Sequence, residues 1–150
     1  MCRFLTAETQ GPLIAVRAII VDKDGRILLL KRSRNDEYGD FWCLPGGKID
    51  FGQTAEEAIA REVQEETALI CDAIEFFDYL DGLPRQQGEK HYITLIFKCQ
   101  TRGELFLNRE SSEYTWVGPD EQEGYQIAFN NDEAMKNFWS QHNADNHIKY

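Results

Sequence analysis

The chain has 150 residues and a mass of 17.4 kDa, with an apolar fraction of 42% and a charged fraction of 28%. This length suits one domain with its own core, and the ordinary composition excludes a disordered tail, a collagen-like repeat and a coiled coil. The formal net charge is −10, from 16 basic and 26 acidic residues, and it disfavours binding to nucleic acid polymers because their phosphates repel an acidic surface.

Membrane insertion and export are not expected. No apolar run approaches the roughly 18 residues that a membrane-spanning helix needs. Residues 1–10 lack the long apolar stretch of a signal peptide, so we expect a cytoplasmic protein. We interpret residues 1–150 as a single domain, with flexible tails at 1–11 and 142–150. The cysteines form no CxxC pair, which predicts reduced and mostly buried thiols at Cys2, Cys43, Cys71 and Cys99.

The first predicted elements are two antiparallel strands. The aliphatic segment Leu13–Val21 is followed by the pair Asp24-Gly25, and an apolar run resumes at Ile27–Leu30. An Asp-Gly pair between two apolar runs is typical of a β-hairpin. A polar stretch then leads to Phe41–Leu44 and to the predicted loop Pro45–Gly47.

A helix is predicted from about Ala55 to Thr67. Thr54 followed by Glu57 is a capping box, in which each side chain bonds the backbone N–H of the other residue. The segment is rich in strong helix formers. Apolar residues recur every four positions and form one stripe: Ala55, Ile59 and Val63.

Strands and one more helix are predicted after this segment. The strands lie at Ala73–Leu80, His91–Gln100, Glu104–Leu107 and Tyr114–Val117. Asn131 or Asp132 can cap a final helix, which ends near Gln141. Because hairpins and helices are mixed along the chain, we expect a mixed β-sheet with helices on its faces.

Three glutamates share one face of the first helix. Glu62 precedes Glu65 by three residues and Glu66 by four, which places the three side chains together over one turn. Like charges at this spacing destabilise a helix by roughly 0.2–0.5 kcal/mol per pair, and the helix dipole disfavours anions near the C-terminus. A bound hard cation such as Mg²⁺ or Mn²⁺ would explain the cluster, and a merely solvated face is the alternative.

The segment from Gly47 to Leu69 resembles the signature of the Nudix hydrolase family. Within its 23 residues, the glycine at Gly47 and the pairs Arg61-Glu62 and Glu65-Glu66 fall at the family's intervals. The order and spacing of the later segments are similar to the MutT-like branch of that family.

Two residues depart from the family signature. Gln53 stands where the family has a glutamate that braces the loop and the helix, so one charge is missing and the affinity for a cation is expected to fall. Ala68 stands where the family has a glycine, and a left-handed turn at alanine costs about 1 kcal/mol. The first departure bears on activity and the second on stability.

The resemblance implies an α/β/α sandwich of the α+β class, with a mixed β-sheet and a loop–helix–loop catalytic motif. It also implies a Mg²⁺-dependent hydrolase, with Mn²⁺ as a substitute, acting on the diphosphate linkage of a small-molecule nucleotide. A water would attack one phosphorus while a carboxylate accepts its proton, and which glutamate is that base stays open. The oligomeric state also stays open, with a homodimer as one alternative.

The resemblance assigns roles to the helix and its preceding loop. Glu62, Glu65 and Glu66 correspond to the catalytic and metal-binding carboxylates of the family. The carbonyl of Gly46 corresponds to a backbone metal ligand. Arg61 is expected to brace the carboxylates.

A further acid comes from a later loop in MutT-like relatives. Glu110 lies six residues before Trp116, a spacing similar to that branch, and Glu113 is the near alternative. We expect Glu110 to complete the metal-binding set, although either residue could be a plain surface acid.

Three residues are candidates for binding the nucleotide. Lys31 and Arg32 leave the second strand near the expected cleft, where they contact phosphates or lie solvated at the strand end. Asn131 falls where MutT-like enzymes carry a base-reading asparagine, and a helix cap is the alternative.

A nucleoside triphosphate or oxidised dNTP, cleaved to the monophosphate and pyrophosphate, is the first substrate class. Pro84 lies sixteen residues after Ala68, a spacing that resembles the ADP-ribose branch, so ADP-ribose or another nucleotide sugar is the alternative. A module that binds nucleotide without hydrolysing it is a further alternative, favoured only by Gln53.

Overall fold

The structure is a computed structural model that describes residues 11–147, so most of the predicted tails and Cys2 lie outside the described residues. Within that range it has seven strands, two α-helices and a short 3-10 helix at Gln122–Gly124. The elements are β1 (Leu13–Ile19), β2 (Ile27–Arg32), β3 (Trp42–Cys43), β4 (Gly46–Lys48), α1 (Ala55–Thr67), β5 (Ile70–Gly82), β6 (Tyr92–Arg102), β7 (Ser111–Val117) and α2 (Asn131–His147).

The strands form two sheets. A four-stranded mixed sheet has the order β4-β1-β6-β5, with β1 and β6 parallel, and a three-stranded antiparallel sheet has the order β3-β2-β7. The predicted hairpin turn is present, because the Asp22 N–H donates to the Arg26 carbonyl at 2.9 Å and Val21 bridges to Ile27. Beyond this bridge the two strands part, so they pair in different sheets rather than in one.

Both sheets lie between the two helices. Alternate residues of β2 point to opposite sides, as the period of a strand requires. Leu28 and Leu30 pack in the cluster that contains α1, whereas Ile27 and Leu29 pack in the cluster that contains α2. All four side chains are buried. The expected α/β/α sandwich of mixed α+β class is therefore confirmed.

The first helix begins and ends where the sequence predicts. The Thr54 hydroxyl accepts the Glu57 N–H at 3.1 Å, and the Glu57 carboxylate accepts the Thr54 N–H at 3.2 Å, which completes the capping box. Ala68 follows the helix with φ 62° and donates its N–H to the Gln64 carbonyl. The left-handed turn is thus present, with alanine in place of glycine.

The strand predicted at Glu104–Leu107 is wrong. The Phe106 N–H donates to the Thr67 carbonyl at 2.9 Å. This segment therefore provides a hydrogen-bond donor for a free carbonyl at the C-terminal end of α1 and does not pair with a strand. Leu105 and Leu107 pack against the core cluster that contains α1. Their apolar character therefore reflects contact with the core in an irregular segment.

The second helix is longer than predicted: it ends at His147 and not near Gln141. Phe138 stacks on His142 one turn later, with ring centroids 6.0 Å apart, and no glycine or proline interrupts the segment. Among the described residues no helix is both long enough and apolar enough to cross a membrane.

The predicted reduced thiols are confirmed for the three cysteines that the structure describes. Cys43 and Cys99 are buried and Cys71 is half-buried, and all three are free. Burial raises the pKa of the Cys43 thiol above its ordinary value, which keeps this side chain protonated.

Candidate active site

A cleft of about 740 Å³ collects most of the predicted site residues. Its lining includes side chains from β1, α1 and the segment between β5 and β6, together with the two segments 37–41 and 127–130. The four predicted carboxylates line this cleft: Glu62, Glu65, Glu66 and Glu110. The volume lies within the range of roughly 300–1,000 Å³ that is usual for small-molecule sites.

Gly46 and Gly47 bring the chain close to two other parts of the site. They belong to β4, which pairs with β1, and not to a loop as predicted. A Cβ on Gly46, where φ is +153°, would overlap the carbonyl of Val16. A Cβ on Gly47 would lie 2.6 Å from Oε1 of Glu62. Close packing against backbone therefore requires glycine at Gly46, whereas a side chain at Gly47 would displace the Glu62 carboxylate.

Glu66 lies beneath this glycine pair. Its side chain is buried, and its Oε2 accepts the Gly46 N–H at 2.9 Å. Burial raises the pKa of Glu66 to about 8, although the positive charge of Arg17 and the Gly46 N–H oppose that rise. A positive charge entering the cleft would favour the ionised carboxylate.

Arg61 joins the helix to the preceding loop. Its guanidinium lies 3.0 Å from Glu62, 3.0 Å from Glu65 and 3.3 Å from Asp50, measured from nitrogen to carboxylate oxygen. The Gln53 amide oxygen is 3.5 Å from the same guanidinium group. Gln53 therefore still contacts Arg61, although its side chain carries no charge. Burial alone lowers the pKa of Arg61, but the carboxylates outweigh it and raise that pKa.

Of the two alternative acids, Glu110 is the one at the carboxylate cluster. Burial raises the pKa of Glu62 and of Glu66, and the negative charge of Glu110 adds to both rises. Glu113 instead lies opposite Lys31 in the β2–β7 pair, with its carboxylate 3.7 Å from the Lys31 ammonium. The structure therefore brings Glu110, and not Glu113, to the predicted ligands.

The two basic residues at the end of β2 have different surroundings. Arg32 lines the cleft, and its Nε donates to the Glu37 carbonyl at 2.7 Å. Lys31 is not part of the cleft wall; its ammonium pairs with Glu113 and lies 5.8 Å from the ring centroid of Trp42. Of the two residues only Arg32 lies on the cleft wall, and the register of the β2–β7 pair shifts between them.

Asn131 is fully buried and does not line the cleft. Its Oδ1 accepts the Leu44 N–H at 2.9 Å, and its Nδ2 donates to the Phe129 carbonyl at 3.1 Å. Both ends of the amide are engaged, so the structure does not place this residue to read a base. It is also the first residue of α2, and the cleft wall contains Asn130 instead.

Sequence analysis missed much of the cleft wall, including Arg17, Tyr38, Phe41 and Phe129. Arg17 carries a usable signal, because a charged residue within the apolar run of β1 needs a partner or a function. The aromatic residues carry none. Tyr38 and Phe129 have left-handed backbones, with φ 57° and 58°, and their ring centroids lie 5.1 Å apart across two loops that are distant in sequence.

The donors in the cleft suit a hard divalent cation, since they are carboxylate and carbonyl oxygens. Within residues 11–147, no three acidic, histidine or cysteine side chains already converge into a ligand set. Arg61 holds Glu62 and Glu65, and the Gly46 N–H holds Glu66. These side chains would exchange such contacts for a cation.

Comparison with known proteins agrees with this geometry. The model of the NUDIX domain family matches residues 11–138. An ADP-ribose pyrophosphatase from Methanocaldococcus jannaschii is 34% identical over 128 residues, which cover 85% of this chain and 73% of that protein. The nucleoside triphosphatase NudI of Escherichia coli is 32% identical over 123 residues, with 72% and 84% covered.

A solved structure extends the likeness to the fold. The crystal structure of a MutT protein from Methanosarcina mazei Go1 has a TM-score of 0.76 and 27% identity, covering 90% of this chain and 97% of that one. The chain therefore belongs to the Nudix family. Within it the chain is MutT-like, and it is a hydrolase that acts on phosphoric anhydrides.

Proposed function

We propose that this hydrolase cleaves a nucleoside triphosphate, or an oxidised dNTP, to the monophosphate and pyrophosphate with Mg²⁺ as its cation. The observation that carries the proposal is the presence of Glu62, Glu65, Glu66 and Glu110 in one cleft with Arg32. The similarity to a nucleoside triphosphatase and to a MutT protein supports the triphosphate class.

The residues divide the work of the reaction. The groups that would hold the cation are the carboxylates of Glu62, Glu65, Glu66 and Glu110 and the carbonyl of Gly46. That carbonyl now accepts a 3.4 Å hydrogen bond from Arg17, which it would exchange for the cation. When bound there, Mg²⁺ would neutralise the charge of the diphosphate and polarise its oxygens. Arg61 positions Glu62 and Glu65, and Arg32 contacts a phosphate. One carboxylate of the set accepts the proton of the attacking water.

The test is a turnover panel. Purified protein is given dNTPs, oxidised dNTPs, ADP-ribose and nucleotide sugars with Mg²⁺, with Mn²⁺ or with EDTA, and the products are separated chromatographically. We expect triphosphates to yield the monophosphate and pyrophosphate, and EDTA to stop the reaction. Glu66→Gln should reduce turnover by about 100-fold, or roughly 2.7 kcal/mol of transition-state stabilisation, with the fold intact. A Glu66→Gln protein with full turnover would remove this carboxylate from the mechanism.

ADP-ribose is the second candidate substrate. The segment between β5 and β6 contributes Leu83, Arg85 and Lys90 to the cleft, beside Pro84. The relative from Methanocaldococcus jannaschii, an ADP-ribose pyrophosphatase, also supports it. The products would be AMP and ribose 5-phosphate. A preference for ADP-ribose of about tenfold in kcat/KM, worth about 1.4 kcal/mol, would replace the first candidate.

A further inference from the structure

Arg17 is a buried cation in the middle of an apolar strand. It lies in β1 between Val16 and Ala18, the residue is 7% exposed, and it lines the active-site cleft. Its Nη1 donates to the Leu44 carbonyl at 2.9 Å and to the Gly46 carbonyl at 3.4 Å. Burying a guanidinium is costly unless its charge is compensated, so the position calls for an anionic partner.

No described carboxylate forms an ion pair with Arg17, although the charge of Arg17 acts on Glu66 and opposes the rise that burial causes in the pKa of that carboxyl. Every hydrogen bond of the Arg17 side chain to a described residue uses Nη1. Nε and Nη2 make no hydrogen bond to a described residue, and neither is among the buried polar atoms that lack a partner. Because Arg17 also lines the cleft, these two nitrogens are the donors that it has left for an anion there.

Phe129 holds Arg17 beside a second arginine. The guanidinium carbons of Arg17 and Arg32 both lie 4.9 Å from the centroid of the Phe129 ring, which is a cation–π distance. Phe129 and Asn130 are consecutive left-handed residues, with φ 58° and 56°, a conformation that strains Phe129 but that asparagine adopts more readily. The loop thus keeps a strained backbone with the aromatic ring placed against both cations.

We propose that Arg17 binds a phosphate group of the substrate, together with Arg32, and that Phe129 is the positioning residue of this anion subsite. Two guanidinium groups offer the planar donor pairs that match phosphate oxygens. In the same cleft the carboxylates would bind the cation. The two arginines would bind the phosphate oxygens whose charge the cation does not neutralise. The identification of the anion as the substrate's phosphate rests on the proposed function.

The test is the binding of inorganic pyrophosphate in EDTA, measured by titration calorimetry. Wild type should bind, and Arg17→Met should weaken the affinity by about tenfold or more. Arg34→Met is the matched control, because Arg34 is an exposed arginine outside the cleft that pairs with Asp40. An Arg17→Met protein with wild-type affinity, or a wild type that does not bind, would overturn the proposal.

A second variant and a second measurement separate binding from folding. Phe129→Leu leaves both arginines in place and should weaken pyrophosphate binding by roughly threefold; unchanged affinity would count against the subsite. If Arg17 served only to hold the Leu44 and Gly46 carbonyls, Arg17→Met would lower Tm but keep the full rise in Tm that pyrophosphate causes. We expect that rise to be clearly smaller in Arg17→Met than in the wild type.

The same assays distinguish this subsite from the proposed function. Pyrophosphate binding in EDTA requires no turnover, so a wild type that binds but hydrolyses no nucleotide contradicts only the proposed function. A wild type that hydrolyses nucleotides, with pyrophosphate affinity unaffected by Arg17→Met, contradicts only the subsite.

Discussion

The backbone N–H of Gly46 donates a 2.9 Å hydrogen bond to Oε2 of Glu66, twenty residues later in the chain. This bond joins β4 to the last turn of α1, and it aligns the glycine pair with the acidic face of the helix. The position of the carboxylates therefore depends on the short strand as much as on the helix.

Replacing Glu110 and Glu113 separately tests which acid serves the site. Glu110→Gln should lower turnover by roughly tenfold or more and reduce the rise in Tm that Mg²⁺ causes. The reason is that the substitution removes a negatively charged carboxylate beside Glu62 and Glu66. Glu113→Gln is the control and should change neither quantity, since it loses only a partly exposed ion pair with Lys31. Thermal melts with and without Mg²⁺, together with turnover, decide between them. The reverse pattern would make Glu113 the functional acid.

Gly47→Ala should reduce turnover by roughly 10- to 100-fold while the protein stays folded. The added methyl group would meet Oε1 of Glu62, so the carboxylate must move, and small displacements of catalytic groups are costly. Gly124→Ala is the control, because open space surrounds that position. Steady-state kinetics and circular dichroism of both variants check this. Equal activity of the two variants would show that the position of Glu62 is not critical.

Ala68→Gly should stabilise the protein by about 0.5–1 kcal/mol, because Ala68 holds a left-handed φ of 62° that glycine adopts without strain. Ala60→Gly, within the same helix, should destabilise it by about 0.5–1 kcal/mol. Urea unfolding of the two variants measures both free energies. A loss of stability in Ala68→Gly would mean that the Ala68 methyl group makes contacts worth more than the strain.

Asn131→Ala should destabilise the protein by about 1–3 kcal/mol, because the buried N–H of Leu44 would lose its acceptor. Its effect on kcat/KM should be equal for purine and pyrimidine substrates, since the side chain does not reach the cleft. Asn130→Ala, on the cleft wall, is the comparison. Urea unfolding and a panel of dNTPs measure the two effects. A base-dependent loss in Asn131→Ala would restore the base-reading role that the family resemblance implies.

The parts of the molecule that follow from local chemistry could be predicted from sequence. The helix Ala55–Thr67 is one example, because Thr54, Glu57 and the apolar stripe act within a few residues. The acidic face is another, since three- and four-residue spacing alone brings its members together.

The rest of the site depends on contacts between segments far apart in the chain. Lys31 lies away from the cleft because β2 pairs with β7 in a register that sets it opposite Glu113. Asn131 is buried and accepts the N–H of Leu44, which lies 87 residues earlier in the chain. Neither register nor burial of this kind can be derived from local spacing.

The parting of β1 and β2 into separate sheets has a mechanical effect on the cleft. Arg17 belongs to the first sheet and Arg32 to the second, yet both reach the same space. An anion bound by both arginines would connect the two sheets. It should therefore slow the hydrogen exchange of backbone amides in β1 and in β2 together. The enzyme would then be stiffest with its substrate in place, and release of the product would loosen the junction of its two halves.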